Sequence, residues 1–292
     1  MKELFFNYPL GLVAYLILIL AIISIWIHKK PYVFMPLLIL SLAFSYYGKI
    51  IEPKAFLLFG LLALLYFYSK KNMPLFWKLL TVISLVLITI GSYTNLLKGV
   101  NNILVFPDYR LSRDATSVNI YANYDKGVIG LLILGIFCEV IDTKKELLRV
   151  IFITLPYLIF TAFTIIYLST YLGIIKYDPK FPLSSGIWLA IQIFFVVIPE
   201  EAFYRGFLQK ELFENLKNKK FASIIALLST SLIFTLIHMF FTLNLSSILI
   251  AFVTGILYGG IYQITKRVES SILVHLSVNM IHYFFFTYPR LG

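Results

Sequence analysis

Cysteine is almost missing from this chain of 292 residues. The single Cys138 excludes an intramolecular disulfide and, lying in an apolar run, reads as a small core residue. Charge is scarce too: Asp, Glu, Lys and Arg make up 13% of the residues, where a soluble domain carries about 25%. The apolar runs are continuous and do not alternate, which excludes a transmembrane β-barrel. No small-x-small cleavage pattern follows the first apolar run, Tyr8 to Ile27, which ends in His28-Lys29-Lys30 and therefore reads as a retained span. There is no internal repeat and no low-complexity tail. No pair of Gly/Pro-broken helices of the transporter kind occurs, and no basic face with interleaved aromatics.

What is abundant is apolar surface. Hydrophobic residues reach 60% and the mean hydropathy is +0.88. Several runs attain the ~18–20 residues that cross a bilayer. The expected fold class is all-α: a polytopic helical membrane protein of about eight to ten transmembrane helices. Candidate spans are 8–27, 32–48, 55–69, 77–97, 127–141, 148–174, 186–209, 221–243, 246–264 and 270–288, the third and fifth being short for a full crossing. The polar insert Lys98–Lys126 carries Pro107, Asp108, Arg110, Arg113 and Asp114 and reads as an extramembrane loop. It separates an N-terminal helical region, 1–125, from a C-terminal core, 126–292.

The net charge is +11. Its lysines cluster in short loops between spans, as anionic lipid and the positive-inside rule require, so the expected partner is the bilayer and not nucleic acid. With ten spans, one side holds Lys29, Lys30, Lys70, Lys71, Lys78, Lys144, Lys145, Arg149, Lys210, Lys217, Lys219, Lys220, Lys266 and Arg267. Ten basic residues fall on the other side and Arg205 lies within a span, so the bias places the Lys210–Lys220 loop in the cytoplasm.

Against this apolar background, Ile198-Pro-Glu200-Glu201-Ala-Phe-Tyr-Arg205-Gly stands out. Helical character can run from Gly186 to Leu216, about thirty residues at ~1.5 Å each, longer than the bilayer core. Glu200 then sits near its middle, at membrane depth, where each charged side chain costs about 2.5–3.5 kcal/mol on insertion scales. Adjacent helical residues point about 100° apart, so the two carboxylates have different roles. Glu201 and Arg205 are i,i+4 and can pair, which leaves Glu200 the freer carboxylate and a candidate general base. Taken alone, the Glu201–Arg205 pair could simply pin two helices.

Two further motifs follow: Phe234-x-x-x-His238, and His275-x-x-x-Asn279 with His282 two turns on along the same face. A lone membrane histidine is often only an interhelical hydrogen bonder. Three polar motifs at one-turn spacing, in the last third of one chain, point instead to a site.

In that order, Glu-Glu-x-x-x-Arg, Phe-x-x-x-His and His-x-x-x-Asn resemble the signature of the CAAX prenyl endopeptidase and bacteriocin-processing family, also called the Abi family. The resemblance spans roughly Lys126 to Pro289, and every motif position is filled. It implies an intramembrane endopeptidase with a conical cavity among its helices. Glu200 and His238 would activate a water, His275 and Asn279 would stabilise the oxyanion, and Glu201 and Arg205 would support them. The residue chemistry agrees, since carboxylate and imidazole accept protons from water and His and Asn suit an oxyanion hole.

Two Glu and two His could also hold zinc. No His-Glu-x-x-His occurs on one helix, so no cofactor is expected, with zinc the runner-up. The expected partner is a membrane-associated protein or peptide substrate. The expected location is integral to a membrane, the plasma membrane if the source is prokaryotic. The competing reading is a non-enzymatic membrane scaffold, an immunity or signalling partner, on the same fold; a transporter is a third.

Overall fold

A computed structural model describes residues 9–28, 31–69, 74–94, 98–240 and 242–292. Lys29, Lys30, Lys70 and Lys71 of the charge count, and Tyr8, Asn95, Leu96, Leu97 and Phe241 within the expected spans, lie outside these residues. The chain is predominantly helical. The elements are α1 (Pro9–Ile27), α2 (Pro31–Tyr47), α3 (Pro53–Ser69), α4 (Leu75–Tyr93), β1 (Ile103–Tyr109), β2 (Val118–Ala122), α5 (Tyr124–Phe137), α6 (Lys144–Tyr171), α7 (Ser185–Leu216), α8 (Ala222–His238), α9 (Leu245–Thr265) and α10 (Val268–Phe285). Among the described residues α1, α6, α7 and α9 are long and apolar enough to cross a membrane, and α2, α8 and parts of α3 and α4 are shorter apolar helices. The protein is a polytopic helical membrane protein, as its composition requires.

Two expectations need correction. The insert 98–126 is not loop throughout, because β1 and β2 pair in a two-stranded sheet built on Ile103-Leu-Val-Phe and Val118-Asn-Ile-Tyr. Branched and aromatic side chains of this kind suit a pleated surface. The span expected at 127–141 is shifted, since α5 starts at Tyr124 and stops at Phe137. Beyond it the backbone N–H of Ile141 is taken by Glu269 Oε1 at 2.7 Å. Thr143 then caps α6, accepting from the Glu146 N–H at 3.2 Å, the Thr-x-x-Glu start of a helix.

The chain forms two compact units. The first comprises the described residues of Met1–Val105, with Tyr121–Phe137 and Phe194–Pro199. In it α1 and α2 lie so close that a Cβ on Gly48 would fall 2.5 Å from the backbone nitrogen of Gly11. Ser41 donates to the Ala14 carbonyl at 2.7 Å and Tyr15 to the Ala122 carbonyl of β2 at 2.6 Å, satisfying buried hydroxyls between elements. Gly48→Ala forces backbone against backbone and should cost about 1–3 kcal/mol, the usual range for overpacking. Thermal unfolding in detergent reads this as a lowered midpoint; an unchanged midpoint would show that the contact relaxes freely.

The second unit comprises Phe106–Ile120, Cys138–Ile193 and Glu200–Gly292. Its core joins Ala162 and Ile165 of α6, Tyr258 and Ile261 of α9, and Val274 and Val278 of α10. Small residues allow the close approach of α8 and α9: a Cβ on Gly255 would sit 3.1 Å from Ser231 Cα. The outer side of α6 carries Phe152 at 82% and Phe163 at 69% exposure, a face that only lipid would cover without cost.

Helix α7 is the 32-residue element that the sequence implied, but it is not uniform. Ile193–Val197 and Ala202–Gln209 are π turns. Pro199 lacks an N–H and its ring crowds the carbonyl four residues back, so the helix widens just before it. In the second π turn, Gly206 packs against Cys138, whose Sγ would lie 2.2 Å from a Cβ there. No larger residue fits at this position without displacing Cys138.

Candidate active site

All seven motif residues belong to the second unit. Glu201 and Arg205 are both fully buried and paired, Arg205 Nε to Glu201 Oε2 at 3.3 Å. The guanidinium also stands 5.5 Å from the Phe234 ring centroid and 5.6 Å from that of Tyr204. Arg205 thus meets its charge requirement with one carboxylate and two aromatic faces.

The other oxygen of Glu201 does what the sequence did not reveal. Glu201 Oε1 lies 2.8 Å from His275 Nδ1. A carboxylate accepts, so the His275 Nδ1–H donates, and the ring presents Nε2 elsewhere. The Tyr258 ring stacks on that imidazole with centroids 4.6 Å apart. His275, at 6% exposure, is therefore fixed from two sides.

His238 is the last residue of α8 and is half-buried. Its Nδ1 lies 2.8 Å from the Phe234 carbonyl, which can only accept. The proton is consequently on Nδ1, and the lone pair is on Nε2. The Phe-x-x-x-His motif is thus a one-turn hydrogen bond that fixes a tautomer, with the Phe234 ring 4.1 Å from the imidazole centroid.

Asn279 Nδ2 donates to Gln192 Oε1 at 3.0 Å. His282 Nε2 donates to the Thr287 carbonyl at 3.0 Å. His238, His275, Asn279 and His282 line one cavity of about 230 Å³. Its other walls are mostly aliphatic, with Ile165, Ile166, Ile174, Ile175, Ile250 and Val278, and carry hydroxyls at Ser169, Ser247, Thr254 and Tyr258.

Glu200 is placed differently from the other three expected catalytic residues. It is half-buried on α7, next to the buried Glu201, and it is not among the side chains that line the cavity. It lies within electrostatic range of Tyr204 and of Tyr258, and Tyr258 does line it. Among the described residues no hydrogen bond or ion pair holds its carboxylate. Nor are any three His, Cys, Asp or Glu side chains among them grouped to hold a metal ion.

Tyr258 and Gln192 are the site neighbours that sequence reasoning missed. Each is a polar residue in an apolar helix, which is the only signal they give. No motif spacing marks them, because their partners come from other helices.

Residues 182–281 match the family described as Type II CAAX prenyl endopeptidase Rce1-like. That segment contains Glu200, Glu201, Arg205, His238, His275 and Asn279, so it bears out the family resemblance carried by the motifs. Comparison with curated proteins and with solved structures returned no match.

Proposed function

We propose that this membrane protein is an endopeptidase that hydrolyses a peptide bond of a membrane-associated or lipidated substrate, using a water activated by Glu200 and His238. One linked observation carries the reading. The first motif grips the third through Glu201–His275, and the second and third motifs share a cavity through His238, His275 and Asn279.

The chemistry follows from the atoms left free. His238 Nε2 and the unpartnered Glu200 carboxylate are the available proton acceptors for water. As the hydroxide adds to the scissile carbonyl, its oxygen becomes an oxyanion. Asn279 has a second Nδ2 hydrogen to offer it. His275 donates from Nε2 once its ring carries both protons, with the buried Glu201 carboxylate as counter-charge. Such donors are worth about 2.7–4 kcal/mol each in a soluble protease. When the C–N bond breaks, the base returns its proton to the departing amine. The aliphatic walls would take an apolar side chain beside the scissile bond.

The 2.8 Å Glu201–His275 bond favours a second division of labour, with His275 as the base oriented by Glu201. It shares the reaction and differs in which carboxylate is indispensable.

The test is cleavage by purified protein in lipid nanodiscs of an internally quenched farnesylated CAAX peptide. It is paired with comparison of the membrane peptidome of cells carrying the native protein or Glu200→Ala. Cleavage in vitro, with peptides that disappear in the variant, supports the protease. No cleavage and unchanged peptidomes would instead support the scaffold. Turnover should survive dialysis against a chelator, because the proposed mechanism uses only side chains. Activity lost on chelation and restored by stoichiometric zinc would replace it with a metal-dependent one.

A further inference from the structure

Gln192 carries a role that no motif assigns. It lies on α7, eight residues before Glu200, and is 9% exposed. In a regular α-helix, eight steps of about 100° would put the two roughly 80° apart. The π turn Ile193–Val197 intervenes. A π turn closes on the fifth residue in place of the fourth and so absorbs one extra residue. Gln192 and Glu200 then stand in the phase of an i,i+7 pair, about two turns apart on one face. The Gln192 amide meets Asn279 of α10, its Oε1 accepting from Asn279 Nδ2 at 3.0 Å.

An asparagine amide can turn end for end, presenting either its oxygen or its nitrogen to the cavity. An oxyanion needs the nitrogen. In the structure Gln192 turns its Oε1 to Asn279, and an acceptor in that place takes the Nδ2 side. One Nδ2 hydrogen is used, and the other remains for the substrate.

We infer that Gln192 is a positioning residue that sets the Asn279 amide as a hydrogen-bond donor to the reacting carbonyl. This rests on the endopeptidase reading of the site. Its effect belongs in the chemical step, because the oxyanion exists only there.

The experiment is a double-mutant cycle with Gln192→Met, Asn279→Ala and the pair, on the quenched farnesylated CAAX peptide. Methionine keeps the length and apolar stem but cannot accept from Nδ2; Gln192→Leu serves if the methionine variant folds poorly. Gln192→Met should lower kcat about tenfold with KM within about twofold. Asn279→Ala should lower it by about 10²–10³. The double variant should match Asn279→Ala within about twofold, because the positioning residue acts only through Asn279.

A second readout needs no turnover. With ¹⁵N-asparagine, the Asn279 side-chain amide, assigned by its loss in Asn279→Ala, should show one hydrogen protected from exchange in the native protein and none in Gln192→Met. Losses that multiply in the double variant, or an amide signal indifferent to Gln192→Met, would overturn the inference and leave the protease standing. Full turnover in Asn279→Ala would remove the oxyanion role and this inference with it.

Discussion

Glu200→Gln reduces peptide cleavage by about 10²–10⁴, the span attributed to a general base, while the protein purifies and unfolds as the native form does. Glutamine preserves the volume and polarity of the side chain but cannot accept a proton. Folding is indifferent to the change because, among the described residues, no ion pair or hydrogen bond uses the Glu200 carboxylate. The paired measurements are kcat on the quenched peptide and the thermal midpoint in detergent. His275→Ala alongside makes the outcome decisive. If Glu200→Gln keeps its turnover while His275→Ala loses it, the base is His275 oriented by Glu201, and Glu200 plays another part.

Arg205→Ala produces the opposite pattern, a loss of folded protein more than of chemistry. Glu201 and Arg205 are wholly buried and joined at 3.3 Å. Removing the cation leaves a desolvated carboxylate with only His275 and the Ser271 hydroxyl beside it, a defect of about 3–5 kcal/mol for a broken buried pair. That is a large part of the 5–15 kcal/mol typical of a whole domain. Yield of monodisperse protein and the unfolding midpoint report it. Arg205→Lys should fail almost as badly, since an ammonium is not a planar group that lies against the Phe234 and Tyr204 rings. Normal yield and midpoint for Arg205→Ala would mean that Glu201 is held by His275 and needs no second partner.

The contrast between these two variants reflects what sequence can disclose. Glu201–Arg205 was legible because both residues lie on one helix at i,i+4, where spacing alone brings them together. Phe234–His238 was legible as a spacing, though not its content, which is a backbone carbonyl fixing an imidazole tautomer. The helical class and the length of α7 followed from apolar runs that no other secondary structure satisfies in lipid. What stayed hidden depends on packing between elements. The second oxygen of Glu201 reaches His275 across 74 residues of chain, and Gln192 meets Asn279 across 87. The end of α5 at Phe137 was hidden for the same reason: the apolar pattern continues, but four residues on the Ile141 N–H is given to Glu269, 128 residues along the chain. The widening of α7 before Pro199 could have been suspected from the proline, but its extent depends on what the helix packs against.

That widening gives the stretch between Ile193 and Val197 an unusual tolerance of one missing residue. Loops such as Lys217–Lys220 can gain or lose a residue at little cost, since only exposed backbone must adjust. A deletion inside the wide turn would let it tighten into a regular helix, and Gln192 and Glu200 would keep their present phase. A deletion in the regular turns of the same helix would instead swing one side by about 100° and move it by ~1.5 Å relative to the other. Hydrophobicity, charge and every motif would be unchanged in both cases, and a reading by composition would not tell them apart. Relatives of this protein that differ in length within this helix should therefore differ at these positions and not at its regular turns.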